Sequence, residues 1–293
     1  MRQRALLCVI LQSTLTLCVL AAQWTLCQPG SIAAFAEDSY IFTVEVNPDT
    51  PAPSETPSPD AGSIDTMLRV EVLLASPIPT QEVEKRILIY HTHTWEAYAQ
   101  VEDTPYQETE TWRTKDDAHN VIAVGRALAA SLESLGFDVV HDTTAFEPPD
   151  LDDAYARSLD MLEERAARGE AYDLYIDLHR DAIASSSTIR KTVNIGGTDV
   201  ARFMVLVGKG TTGGYAEKPD WEANYVIAEA ITDHLNSQCE GLARDIKVKT
   251  GRFNQHIAPC CVLIECGMNT NTLQEVLSGV PYLAQAIADT LME

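Results

Sequence analysis

Residues 86–96 read Arg-Ile-Leu-Ile-Tyr-His-Thr-His-Thr-Trp-Glu, and the rest of the chain is best read outward from them. Arg86 to Tyr90 is short and almost wholly apolar, the pattern of a strand buried on both faces. It leads at once into His91, His93 and Glu96. Two later segments repeat this arrangement. Tyr172 to Leu178 (YDLYIDL) precedes His179-Arg180-Asp181, and Cys261 to Ile264 (CVLI) precedes Glu265-Cys266-Gly267. If the three strands are parallel, all three polar sets emerge on one rim, beyond the carboxyl ends, where sites in such sheets lie.

Helical patterns separate these strands. From His119 to Leu135 apolar residues recur at helical spacing, and Gly136 follows as a C-terminal cap. Phe137 to Val140 and Arg202 to Val207 read as strands. Ala154 to Arg168 and Trp221 to Leu235 read as helices, and Leu273 to Met292 as a closing helix. This alternation predicts an α/β fold: one domain with a mainly parallel central sheet flanked by helices.

The amino-terminal part has a different character. Arg2 and Arg4 precede an uncharged, mostly apolar run from Ala5 to Trp24. That is the layout of an export signal, and the run is long enough to remain as a membrane anchor. Ala34-Phe35-Ala36 offers a small-x-small cleavage site. Basic residues before the run and acidic ones after it place the remainder outside the membrane. Pro48, Pro51, Pro53, Pro57 and Pro59 then mark a semi-rigid spacer. The expected parts are a signal or anchor over 1–36, an extracytoplasmic linker over 37–65 and a catalytic domain over 66–293.

Lysine and arginine number 21 against 43 acidic residues, a formal charge of −22. So acidic a chain has no general field for nucleic acid. Three of the seven cysteines fall in the leader, and no CxxC pair is present, which argues against a structural zinc knot. Cys260 and Cys261 are adjacent and would need separate disulfide partners.

The strand-end residues suit a catalytic zinc site. Such sites take three ligands from His, Glu or Asp and keep a position open for water, while a carboxylate off the metal moves protons. His91 and His93, two apart, point to one side if the chain stays extended. Glu96 can swing back from the turn that follows, His179 comes from another strand, and Glu265 is the free carboxylate. Arg244, Lys247, Lys249 and Arg252 form a basic island, with Ile246 and Val248 alternating as on an edge strand. Substrate carboxylates are its natural ligand. No GxSxG is present, so a serine hydrolase is disfavoured.

Four blocks, 87–98 (ILIYHTHTWEAY), 120–144, 172–182 (YDLYIDLHRDA) and 251–275 (GRFNQHIAPCCVLIECGMNTNTLQE), resemble the stage II sporulation protein P family. The resemblance implies an N-acetylmuramoyl-L-alanine amidase fold and activity on peptidoglycan. It further implies a zinc cofactor, a role in forespore engulfment and a glycan-cutting partner enzyme. The wider zinc amidase pattern makes His179 a ligand and Glu265 the catalytic carboxylate. It leaves the first ligand as His91 or His93, and the carboxylate ligand as Glu96, which we prefer, or Asp116. Arg252, Asn254 and Asp181 become the substrate-binding candidates. A zinc peptidase acting on wall peptides and a non-catalytic wall-binding module are the alternatives.

Overall fold

A computed structural model of the chain describes residues 32–36, 40–44 and 85–293 apart from 185. The chain separates into two compact units, Met1–Gln81 and Glu82–Glu293. The first contains an antiparallel pair, β1 (Ile32–Ala36) and β2 (Tyr40–Val44), with Ile32 opposite Val44. The leader at 5–24 and the proline-rich spacer lie outside the described residues. Among the described residues, no helix is long and apolar enough to cross a membrane.

In the second unit the elements run β3 (Arg86–Tyr90), α1 (Val121–Ser134), β4 (Asp138–His141), α2 (Ala154–Ala167) and β5 (Leu174–Asp181). A hairpin follows, β6 (Thr192–Ile195) and β7 (Thr198–Ala201). Then come β8 (Phe203–Gly208), α3 (Trp221–Gln238), β9 (Lys247–Lys249), β10 (Cys261–Met268), α4 (Leu273–Leu277) and α5 (Val280–Met292). Six strands form one sheet in the order β4-β3-β5-β10-β8-β9. The pairs β4-β3, β3-β5, β5-β10 and β8-β9 are parallel, and β10-β8 is antiparallel. The fold is therefore α/β with a mainly parallel sheet, as the alternation predicts. β8 runs against its neighbour β10 because only the β6-β7 hairpin, and no crossover helix, joins it to β5.

Strand alternation divides the core. Leu174, Ile176 and Leu178 of β5 and Val262, Ile264 and Cys266 of β10 share a cluster with Val124 and Leu128 of α1, Ile231 of α3 and Ile287 of α5. The other face carries Leu88, Tyr90, Tyr175 and Cys261, packed against Leu162 of α2. Each such fully buried side chain contributes on the order of 1.5–3 kcal/mol.

Local chemistry explains the helix limits. The Asn120 side chain accepts from the Ile122 amide and caps α1. Gly136, just past its end, has φ 93°, the left-handed conformation that closes helices. The single closing helix expected from 273 to 292 is two helices. Thr272 and Glu275 form a capping box on α4, and the chain restarts at Gly279 with a proline in the first turn of α5. A Cβ at Gly279 would lie 2.7 Å from the Phe203 ring, so the break falls at a close contact with β8. Cys239, Cys260, Cys261 and Cys266 are all free thiols.

Candidate metal centre

β5 and β10 run several residues beyond the apolar runs that announce them. His179 and Glu265 are thus strand residues, and they sit directly opposite each other in the parallel register. Alternation places both on the face that carries Asp177, away from α1, α3 and α5.

The first strand behaves differently. β3 stops at Tyr90, and residues 92–95 form a turn, so the rule that residues two apart share a side does not carry through to His93. Asp177 shapes that turn. Its carboxylate accepts from the Thr92 amide at 2.8 Å and the Thr92 hydroxyl at 2.7 Å. His93 is brought over the site face, its ring centroid 5.0 Å from that of His179. His91 goes the other way. It is fully buried, with Nδ1 2.9 Å from Leu178 O and Nε2 2.8 Å from His141 Nε2. Gly125 of α1 makes room for the pair, since a Cβ there would lie 2.6 Å from His91 Nε2.

His93, Glu96 and His179 come together, with one ligand atom from each lying within 4.8 Å of the others. Glu96 Oε1 is 3.7 Å from His93 Nδ1, and Oε2 is 3.4 Å from His179 Nδ1. The Arg180 amide donates to Glu96 Oε2 at 3.1 Å, and its guanidinium donates to Ala97 O at 2.9 Å and Trp112 O at 3.1 Å. Arg180 thereby fixes the glutamate in the turn. His179 Nε2 lies 2.8 Å from Asp177 Oδ1 without meeting hydrogen-bond geometry. Asp177 is thus an ionic neighbour of the ring nitrogen that Glu96 does not face.

The donor set, two imidazoles and one carboxylate, is a common one for catalytic zinc. Electrostatics fit a cation. Burial alone would lower the His179 pKa, yet Asp177 and Glu96 hold it well above the usual histidine range. Burial would raise that of Glu96, but the imidazoles of His179 and His93 and the Arg180 charge hold it well below the carboxylate range. A divalent ion can replace the imidazolium charge between these carboxylates. Glu265 supplies the remaining group. Burial, reinforced by Glu96 and Asp181 and opposed by His179, pushes its carboxyl up to about 8, and Oε2 is buried without a partner.

The other sequence candidates lie outside the His93-Glu96-His179 group. Asp116 is exposed and bonded to His119 Nδ1 at 2.8 Å. Asp181 pairs with Arg244 at 2.7 Å. Arg252 lies 4.1 Å over the Tyr215 ring. Asn254 is buried, and its amide donates to Tyr155 O and Ser158 Oγ of α2, so it braces α2. His256, half-buried, is not in the metal-type group. Sequence reasoning missed Arg180 and Tyr155. The Tyr155 ring stands edge-on to His93 at 5.4 Å and to Phe253 at 5.8 Å. Only the position of Arg180 beside His179 could have signalled it. A cavity of about 240 Å³ between the 98–106 loop and α4 contains none of the candidate ligands.

The His91-His141 pair yields a stability prediction. Burial, and then the neighbouring His141, lowers the His91 pKa to about 3, and burial, then Arg126, lowers that of His141 to about 4. Both are below the unfolded value near 6.5. The folded state therefore resists protons that the unfolded chain takes up. The stability contributed by neutral imidazoles is complete above about pH 6.5 and declines as pH falls toward about 4. Urea unfolding at pH 7 and 4.5 should show the pH-dependent loss reduced by on the order of 2 kcal/mol in His141→Asn. An unchanged difference would show that His141 does not remain neutral in the fold.

A sequence profile of the stage II sporulation protein P family matches residues 42–288. The chain belongs to that family. No curated protein matches it. Solved structures align loosely with this family member. One is the N-acetylmuramoyl-L-alanine amidase AmiC2 of Nostoc punctiforme, 17% identical, covering 71% of this chain and 95% of its own, with a TM-score of 0.40. Another is the N-acetylmuramoyl-L-alanine amidase of Clostridium difficile 630, 14% identical, with 71% and 95% covered and a TM-score of 0.44. A third is the CwlD amidase of Clostridioides difficile in complex with the GerS lipoprotein, 15% identical, with 71% and 97% covered and a TM-score of 0.44.

Proposed function

We propose that this chain is a zinc-dependent N-acetylmuramoyl-L-alanine amidase that removes stem peptides from peptidoglycan during sporulation. One observation carries the reading: in a member of this family, His93, Glu96 and His179 converge beside a buried, unpartnered Glu265 on one sheet face. The leader and spacer support an extracytoplasmic place, tethered to or released from the membrane. A glycan-cutting partner enzyme, which the resemblance implies, belongs to the same reading.

His93, Glu96 and His179 would hold the ion, with the Arg180 amide fixing Glu96 and the Asp177 carboxylate lying beside His179. Zinc bound there supplies Lewis acidity and lowers the pKa of water. Glu265 takes the proton of the attacking water and passes it to the leaving amine of L-alanine. A carboxyl held near 8 in the metal-free protein binds that proton readily, and a nearby cation brings the ionised form within reach at neutral pH.

The test is mass spectrometry of products from purified peptidoglycan incubated with the protein, with and without chelator. The expected products are peptides with a free L-alanine amino group and glycan with an intact lactyl group, both lost with chelator. Cuts within the stem peptide would make the chain a zinc peptidase instead. Products unchanged by chelator would remove the metal from the mechanism.

A further inference from the structure

Outside the metal centre, the edge strand β9 carries an unusual charge pattern for so acidic a chain. β9 pairs in parallel with β8, Lys247 opposite Leu206 and Lys249 opposite Gly208. β8 in turn pairs with β10, Leu206 opposite Leu263 and Met204 opposite Glu265. Cross-strand partners share a face. Lys247 and Lys249 therefore project from the face that carries Glu265, whereas Ile246 packs against the opposite core. Both lysines are exposed, and neither forms an ion pair among the described residues. In a chain with 43 acidic residues and 21 basic ones, two unneutralised cations on the catalytic face call for a ligand. Solubility alone would be served by acidic residues, which the chain has in excess.

We infer that Lys247 and Lys249 are specificity-determining residues that bind carboxylates of an acidic peptide whose scissile amide lies at Glu265. The inference rests on the amidase reading and deepens it by assigning the substrate's charge. Sheet geometry sets the reach. At about 4.8 Å between strands and about 3.3 Å per residue, the Cα atoms of Lys247 and Lys249 stand about 12 and about 16 Å from that of Glu265. A lysine side chain reaches back over part of that span. An extended peptide covers the remainder in about two to four residues. The matching carboxylates thus belong to the second to fourth residues beyond the cut. The Lys249 charge extends to Glu265, where it partly counters the upward push on that carboxyl. Arg252, on the loop that follows β9, has its backbone carbonyl 3.1 Å from the Cβ position of Gly208, while its guanidinium is engaged over the Tyr215 ring.

The test uses the full chain with N-acetylmuramoyl-L-alanyl-D-glutamyl-L-lysine and the same compound with its carboxyls amidated. The wild-type protein should show a KM about 5- to 10-fold lower for the acid form, the effect of two exposed charge pairs, with kcat little changed. K247Q/K249Q should raise the KM for the acid to that of the amide and leave the amide's constants unaltered. K247R/K249R should restore the preference. A glutamine variant that still prefers the acid, or a wild-type protein with no preference, overturns the inference. If the wild-type chain cleaves neither compound, the amidase reading fails, and calorimetric binding decides the lysines separately. Acid preference present in wild type and lost in K247Q/K249Q supports their role. Preference in both proteins, or in neither, overturns it.

Discussion

Glu265→Gln is expected to slow release of stem peptides by about 100- to 10,000-fold, the usual contribution of a positioned acid-base group. Glutamine keeps the volume and can still hydrogen-bond water, but it cannot accept a proton. The change costs the fold little. Oε2 of Glu265 has no partner to lose, and burial already holds its carboxyl near 8, so a neutral amide suits the position. Zinc content, measured by elemental analysis, should remain that of the wild-type protein, because His93, Glu96 and His179 are untouched. A near-wild-type rate would remove Glu265 from the chemistry. Loss of zinc in this variant, with zinc retained in Glu96→Gln, would exchange the roles of the two carboxylates.

The second large effect is expected from His179→Ala. Removing the imidazole takes away one of three candidate ligands and the ring that lies against both Asp177 and Glu96 in the metal-free protein. Bound zinc should be lost and hydrolysis with it. In the metal-free state the two carboxylates are left buried without its countercharge, a loss typically worth about 3–5 kcal/mol. The urea midpoint should therefore fall well below that of metal-free wild type. Full zinc occupancy in His179→Ala would exclude His179 from the ligand set. Lost zinc with an unmoved midpoint would show that Asp177 and Glu96 do not depend on its charge.

Some of this site was visible in the order of residues. The apolar runs before His91, His179 and Glu265 mark buried strands, because a strand covered on both faces must be apolar throughout. Helical spacing between the runs implies crossovers and a mainly parallel sheet. Convergence of the three strand ends follows from that topology without any side-chain geometry. The β6-β7 hairpin was missed, since its eight residues alternate weakly and include exposed Thr198 and Asp199. The split between α4 and α5 was also missed: helical periodicity continues across Ser278 and Gly279, and at Gly279 the Phe203 ring leaves no room for a side chain.

The sequence alone thus determined the alternation of the principal strands and helices, the family and the residue types from which a metal centre could be built. These depend on local periodicity and on chemical identity, both of which a linear chain carries. The tertiary structure decided which of those residues meet. His93 rather than His91 joins His179 because Asp177, 85 positions away, grips the turn at Thr92. Glu96 rather than Asp116 completes the group because Arg180, 84 positions on, holds it. Asn254 turns to α2 because Tyr155 O and Ser158 Oγ are there to accept its amide protons. Each choice is made by a hydrogen bond between distant segments, and the free energy of such a bond depends on where folding puts its partner, which no local pattern of residues encodes.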